Sequence, residues 1–126
     1  SDRGESSIEP YPESHELLGF FESAPKIDSC DGIPEQFSPH TYQTQIGDDH
    51  IYCEITPGYS KMLFIWRNGG VALMKLNLER IASLSIYHQD GVEKLVARFD
   101  AETELLRFEL QLKPTIQIEW GNQAGS

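Results

Sequence analysis

Apolar and polar residues alternate through most of the chain beyond position 42, the pattern typical of half-buried β-strands. Two such runs flank the dipeptide Asp90-Gly91, which favours a tight hairpin turn. The alternation continues through 103–112 and, after a loop at 113–115, through 116–120. The second half therefore predicts consecutive antiparallel strands.

The register of these strands assigns one set of apolar side chains to a shared buried face. The predicted set is Leu84, Ile86, Leu95, Phe99, Leu106, Phe108, Leu110 and Ile118, with Ala82 at its start. A slip of one residue would turn the whole set to solvent. The same register places His88 opposite Glu93, as a surface ion pair.

A second hairpin is predicted at Asn68-Gly69, which separates two strongly apolar runs. Pairing outward from that turn places Trp66 opposite Val71. Both faces of this hairpin are apolar at the centre, so we expect both to be covered.

The pattern as a whole predicts a mainly β fold with little helix. Strands at 42–46 and 50–56 bring the total to about eight, in an antiparallel β-sandwich or curved meander, with a closed barrel as the second choice. Residues 14–23 predict one short helix, although Gly19 and the Phe20-Phe21 pair fit a strand nearly as well. We expect one domain, 1–126, with flexible tails at 1–9 and 122–126.

Charge is distributed unevenly between the two halves of this acidic chain. The net charge is −10, and residues 1–54 hold twelve acids and two bases, which account for all of it. This balance argues against nucleic-acid binding and against an anionic membrane surface. No apolar run approaches the roughly 20 residues that would span a bilayer. The segregation favours an acidic surface that meets a basic partner, although a merely solvated acidic surface remains the alternative.

Acidic side chains without nearby bases are the predicted partner-binding residues, because they remain available to a cationic cleft. Tyr59 joins them as an aromatic anchor, as interfaces favour aromatic residues within a polar rim. The set is Asp28, Asp31, Glu35, Asp48, Asp49 and Tyr59, with Asp100, Glu102 and Glu104 as a second acidic edge.

The two cysteines, Cys30 and Cys53, are disulfide candidates. A bridge would close a loop of about two dozen residues and contribute about 3 kcal/mol. It would also indicate an oxidising compartment such as the periplasm. Two buried thiols are the alternative interpretation.

No catalytic or metal-binding motif stands out. Cys30, His40 and Asp49 are the right residue types for nucleophilic catalysis, but nothing in the sequence brings them together. Two cysteines without paired histidines make a poor zinc site. We therefore expect a non-catalytic protein without a metal site or cofactor.

The chain resembles periplasmic immunity proteins of the type VI secretion system, in particular those that protect against a peptidoglycan-cleaving muramidase effector. The resemblance spans roughly 9–120 and rests on the acidic first half, the strand run 61–75 and the meander that ends at 116–120. It implies a β-rich inhibitor that blocks the effector's glycan-binding groove, with calcium as an option at the partner interface. It also implies a periplasmic location, with a lipid anchor as an option in the full-length precursor.

These considerations predict an inhibitor that binds a cognate toxin enzyme, a peptidoglycan hydrolase, and occludes its substrate groove. The alternative is a small ligand-binding or carbohydrate-binding β-domain that uses aromatic side chains as a stacking surface. A concave, aromatic-lined cavity would favour that alternative.

Overall fold

The fold consists of two antiparallel β-sheets and one short helix, as given by a computed structural model. The structure describes residues 8–27, 32–100 and 105–122. The first sheet has the strand order β1-β2-β3-β4-β5 and the second the order β6-β7-β8-β9. The predicted mainly β class is confirmed, with two open sheets instead of a closed barrel.

Strands that are neighbours within a sheet are consecutive in the sequence. The elements are α1 (Ser14–Phe21), β1 (Lys26–Ile27), a first 3₁₀ helix (Glu35–Phe37), β2 (His40–Ile46), β3 (Asp49–Thr56), a second 3₁₀ helix (Pro57–Tyr59), β4 (Lys61–Asn68), β5 (Val71–Leu78), β6 (Ile81–Gln89), β7 (Val92–Phe99), β8 (Leu105–Gln111) and β9 (Gln117–Asn122).

The register predicted for the second sheet is correct over most of its length. Leu84 pairs with Ala97, and His88 pairs with Glu93, whose Oε2 lies 3.1 Å from the His88 Nδ1. A bulge between Ile81 and Ser83 breaks the alternation at the start of β6. The buried position is therefore Ile81, and Ala82, which the sequence assigned to the core face, is exposed.

The predicted buried face is fully enclosed at its centre and opens toward its margins. Leu84, Leu95, Phe108 and Leu110 are completely buried. Ile86, Phe99 and Ile118 are half-buried and pack against this core. The side chain of Leu106 lies outside the described part of the chain.

The register predicted for the hairpin of the first sheet is wrong. Gly69 and Gly70 form the turn, at φ +58° and +87°, so that Asn68 pairs with Val71. Two glycines adopt these left-handed conformations at less cost than the pair Asn68-Gly69. A bulge beyond the turn leaves Leu73 on the edge strand 55% exposed, so the expectation that both faces are covered also fails.

The core lies between the two sheets and is closed on one side by α1. The rings of Phe64 on β4 and Phe108 on β8 are 5.8 Å apart and join the sheets. Phe21, at the end of α1, stacks on Tyr42 of β2 at 4.7 Å. The predicted helix is thus confirmed, and its apolar side completes the core.

The segment before α1 joins the two sheets at the end where the 3₁₀ helices lie. The Ile8 amide donates to the Pro57 carbonyl at 3.3 Å, and the Glu9 amide donates to the Ala82 carbonyl at 2.9 Å. Ile8 is buried, so the part of the predicted N-terminal tail that the structure describes is packed against the domain. Asn122, predicted as the start of the other tail, is the last residue of β9.

No helix in the described part of the chain is long and apolar enough to cross a membrane.

Candidate functional site

Four of the predicted partner-binding residues lie in two groups at opposite ends of the β2–β3 hairpin. Asp48 and Asp49 occupy the turn of this hairpin, whereas Glu35 and Tyr59 lie beside its other end. The six residue steps of β2 between these ends span about 20 Å. We call the first group the hairpin tip and the second the groove end.

Four of the predicted partner-binding residues lie outside the described residues. They are Asp28, Asp31, Glu102 and Glu104. Their role in partner binding stays a prediction.

At the hairpin tip, Asp49 holds two hairpins together. Its Oδ1 accepts hydrogen bonds from Trp66 Nε1 at 2.9 Å and from Asn68 Nδ2 at 2.8 Å. These bonds stabilise the ionised carboxylate and lower the pKa of Asp49 below its usual value. The neighbouring Asp48 is exposed, and its carbonyl accepts from the Gly69 amide at 3.0 Å. Sequence reasoning treated the two acids as equivalent, but only Asp49 has this structural role.

At the groove end, the two 3₁₀ helices pack directly against each other. The ring of Phe37 lies 5.2 Å from the ring of Tyr59, which is 55% exposed. A Cβ at Gly58 would collide with the Phe37 ring and lie 2.9 Å from the Gln36 carbonyl oxygen, so this close approach requires glycine. The contact fixes Glu35 and Tyr59 on the same surface.

An open groove of about 810 Å³ runs between these 3₁₀ helices and the start of α1. Its lining residues are Ile8, Tyr11, Pro12, Glu13, Ser14, His15, Glu35, Gln36, His40, Pro57 and Gly58. Sequence reasoning found Glu35 but missed Glu13, His15 and His40 as neighbours. The Pro57-Gly58 dipeptide signalled a turn here, yet nothing local linked that turn to residues 13–15.

Asp100, predicted on the second acidic edge, has a local cationic partner. Its Oδ2 accepts from Arg80 Nε at 3.1 Å, and its amide donates to the Arg80 carbonyl at 3.0 Å. The prediction that no base neutralises this acid is therefore wrong. Arg80 adopts φ +63° at the corner between β5 and β6, and this places the two residues side by side.

Cys53 is completely buried on β3 and has no disulfide partner among the described residues. Burial raises the pKa of its thiol well above the ordinary value, and burial likewise raises the pKa of Tyr42 to about 12. Its predicted disulfide partner, Cys30, lies outside the described residues. The bridge therefore stays a prediction.

The candidate catalytic and aromatic side chains are dispersed in the described part of the chain. The described residues contain no group of three His, Cys, Asp or Glu side chains arranged to hold a metal ion. Of the three residue types considered for nucleophilic catalysis, Cys30 lies outside the described residues, and His40 and Asp49 lie at opposite ends of the β2–β3 hairpin. Tyr11 is the aromatic residue of the groove described above, and Phe20 that of a second groove of about 730 Å³. Neither groove resembles the aromatic-lined cavity that carbohydrate binding would favour.

The protein is a mainly β protein with two facing antiparallel sheets and one helix, and acidic side chains lie at its hairpin tip and groove end. One solved structure shares the fold: a chain of the "Contact-dependent growth inhibition toxin - immunity protein complex from Klebsiella pneumoniae 342". The TM-score is 0.76 and the identity 20%, over 91% of this chain and 97% of that chain. No family model and no curated protein sequence matches this chain.

Proposed function

We propose that this protein is an immunity protein, a non-catalytic inhibitor that binds one cognate toxin. The observation that carries the proposal is the fold shared, along nearly the whole of both chains, with a chain of a toxin–immunity complex. A fold alone does not define a function, so the proposal also draws on the chemistry of the surface.

The charge distribution favours the immunity role over the toxin role. The net charge of −10 comes from the first 54 residues, which include Glu35 of the groove end and Asp48 and Asp49 of the hairpin tip. An acidic surface suits an inhibitor that covers a cationic cleft, because complementary charge speeds association. Inhibition would then be steric, with the acidic surface occluding the substrate groove of the toxin.

A contact-dependent killing assay tests this function and does not require the toxin to be purified. We expect a source strain that lacks this protein to be killed by its parent in mixed culture on a solid surface. Re-expression of the chain should restore survival, and separation of the two strains by a filter should remove the killing.

The opposite assignment gives a different result. If the chain belonged to the toxin, its expression alone would stop the growth of a naive host, and its deletion would leave the strain fully resistant. Either result would overturn the proposal.

The proposal also includes the compartment in which this protein acts and the substrate that the toxin cleaves. The sequence resemblance supports a periplasmic inhibitor of a type VI muramidase, whereas the structural neighbour comes from a contact-dependent system. Directing this protein to the periplasm or to the cytoplasm of a sensitive strain tests the location, and we expect protection from the periplasmic form. Cleavage of purified peptidoglycan by the captured toxin, with and without this protein and with and without calcium, tests the target and the ion.

A further inference from the structure

The groove at the groove end has two facing walls built from distant parts of the sequence. One wall is the start of α1, where Glu16 Oε1 accepts from the Glu13 amide at 3.0 Å. The other is the first 3₁₀ helix, where His40 Nε2 lies 3.1 Å from the Glu35 carbonyl oxygen. These contacts fix the backbone at Glu13 and Glu35 and leave both carboxylates at the surface.

The two carboxylates have no Lys or Arg partner within the described part of the chain. Glu13 Oε1 has one charged contact there, His15 Nδ1 at 3.6 Å, and no Lys or Arg lines the groove. Other acids are already paired: Glu109 contacts Lys94, and Glu22 contacts Lys113. The groove therefore retains uncompensated negative charge on both walls.

Between these walls the groove is lined by apolar groups. Ile8, Pro12 and Pro57 are buried, and the ring of Tyr11 lies beside them. Such a lining suits the aliphatic stem of a long basic side chain, whose charged head would reach the carboxylates at the rim.

We propose that this groove binds a cationic segment of the toxin, with a Lys or Arg side chain inserted between Glu13 and Glu35. The inference rests on the proposed immunity function and names the surface that carries it. Charge complementarity selects the occupant. The exposed ring of Tyr59 lies beside the groove, with Lys61 Nζ over it at 6.0 Å from the ring centre, so it supplies an apolar rim and no free cation–π contact.

An acetylated tetra-arginine amide is a probe that does not require the toxin to be known. In a titration followed by amide chemical shifts at low salt, we expect saturable binding, with the largest shifts at the amides of residues 13–15, 35–38, 40 and 58. Shifts spread evenly over the acidic surface, or no saturation up to several millimolar peptide, would overturn the proposal.

The variant Glu13→Gln/Glu35→Gln removes both charges and keeps the size and shape of the side chains. We expect it to weaken peptide binding about tenfold. The matched control is Glu79→Gln/Glu119→Gln, which removes two exposed charges elsewhere and should bind within about twofold of wild type. Equal weakening in both variants would show attraction by net charge alone, and so contradict a site.

The same variants separate this inference from the proposed function once the toxin is in hand. If the wild type neutralises the toxin and the groove variant neutralises it equally well, the docking site is wrong and the immunity function stands. If the wild type fails to protect while the peptide still binds in the groove, the immunity function is wrong. Thermal unfolding of each variant checks that the fold is retained.

Discussion

Replacement of Phe108 by alanine is the most direct test of how the two sheets are joined. Phe108 is 0% exposed, and its ring lies 5.8 Å from that of Phe64 on the opposite sheet, tilted by 58°. The substitution removes a whole ring from a closed site, and neighbouring strands hold the surrounding backbone in place.

We expect the substitution to lower the free energy of unfolding by about 3–5 kcal/mol. Loss of buried apolar area and the cavity left behind supply most of this cost. Loss of the ring pair with Phe64 adds about 0.5–1.5 kcal/mol within that total. A domain of this size has a stability of very roughly 6–19 kcal/mol, so the variant should fold but unfold at much lower denaturant concentration.

Urea unfolding followed by fluorescence and circular dichroism measures this change, with a slope that should match that of wild type. Trp120→Ala is the matched control: Trp120 pairs with Phe108 across the strands but is 55% exposed, so its loss should cost below about 1 kcal/mol. A double-mutant cycle with Phe64→Leu and Phe108→Leu isolates the contact between the sheets. A loss below about 1 kcal/mol for Phe108→Ala, or equal losses in Phe108→Ala and Trp120→Ala, would refute the assigned packing.

Three further predictions concern the surface and the cysteines. Asp49→Ala should lower the melting temperature at pH 7, because the native pKa of Asp49 is depressed. The difference in melting temperature from wild type should disappear as the pH falls below about 3.9 and through that native pKa. The control variant Asp48→Ala should show no such dependence on pH. Gly58→Ala should cost about 1–3 kcal/mol in urea unfolding, since the two 3₁₀ helices must separate, and an unchanged midpoint would contradict their close contact. Cys53 should resist thiol reagents in the native protein because it is buried. Labelling in denaturant without reductant then tests the predicted bridge to Cys30. We expect no labelled cysteine, and two labelled cysteines would exclude the bridge.

Local signals in the sequence were sufficient for the elements whose contacts are short-range. The Asp90-Gly91 turn and the alternation around it determine the hairpin of β6 and β7, because each strand meets the residues that follow it directly. The helix Ser14–Phe21 was also predicted, but its sequence fits a strand nearly as well, and the structure decides between the two.

The alternation of apolar and polar residues did not predict the bulges or the position of the Gly69-Gly70 turn. Gly69-Gly70 displaced the predicted Asn68-Gly69 turn, and one extra residue in β5 then put Leu73 into solvent. Alternation alone does not reveal a bulge, because the extra residue changes the face without changing the composition of the strand.

The candidate site depended almost entirely on tertiary structure. The sequence located an excess of acid in the first half and named Glu35 and Asp49, but it could not separate them into two ends or assign Asp49 its bonds to Trp66 and Asn68. Glu13 and Glu35 line one groove only because α1 and the first 3₁₀ helix pack at the same end of the molecule. Contacts between residues so far apart in sequence are set by packing of the whole core, which leaves no local pattern in the residues that it brings together.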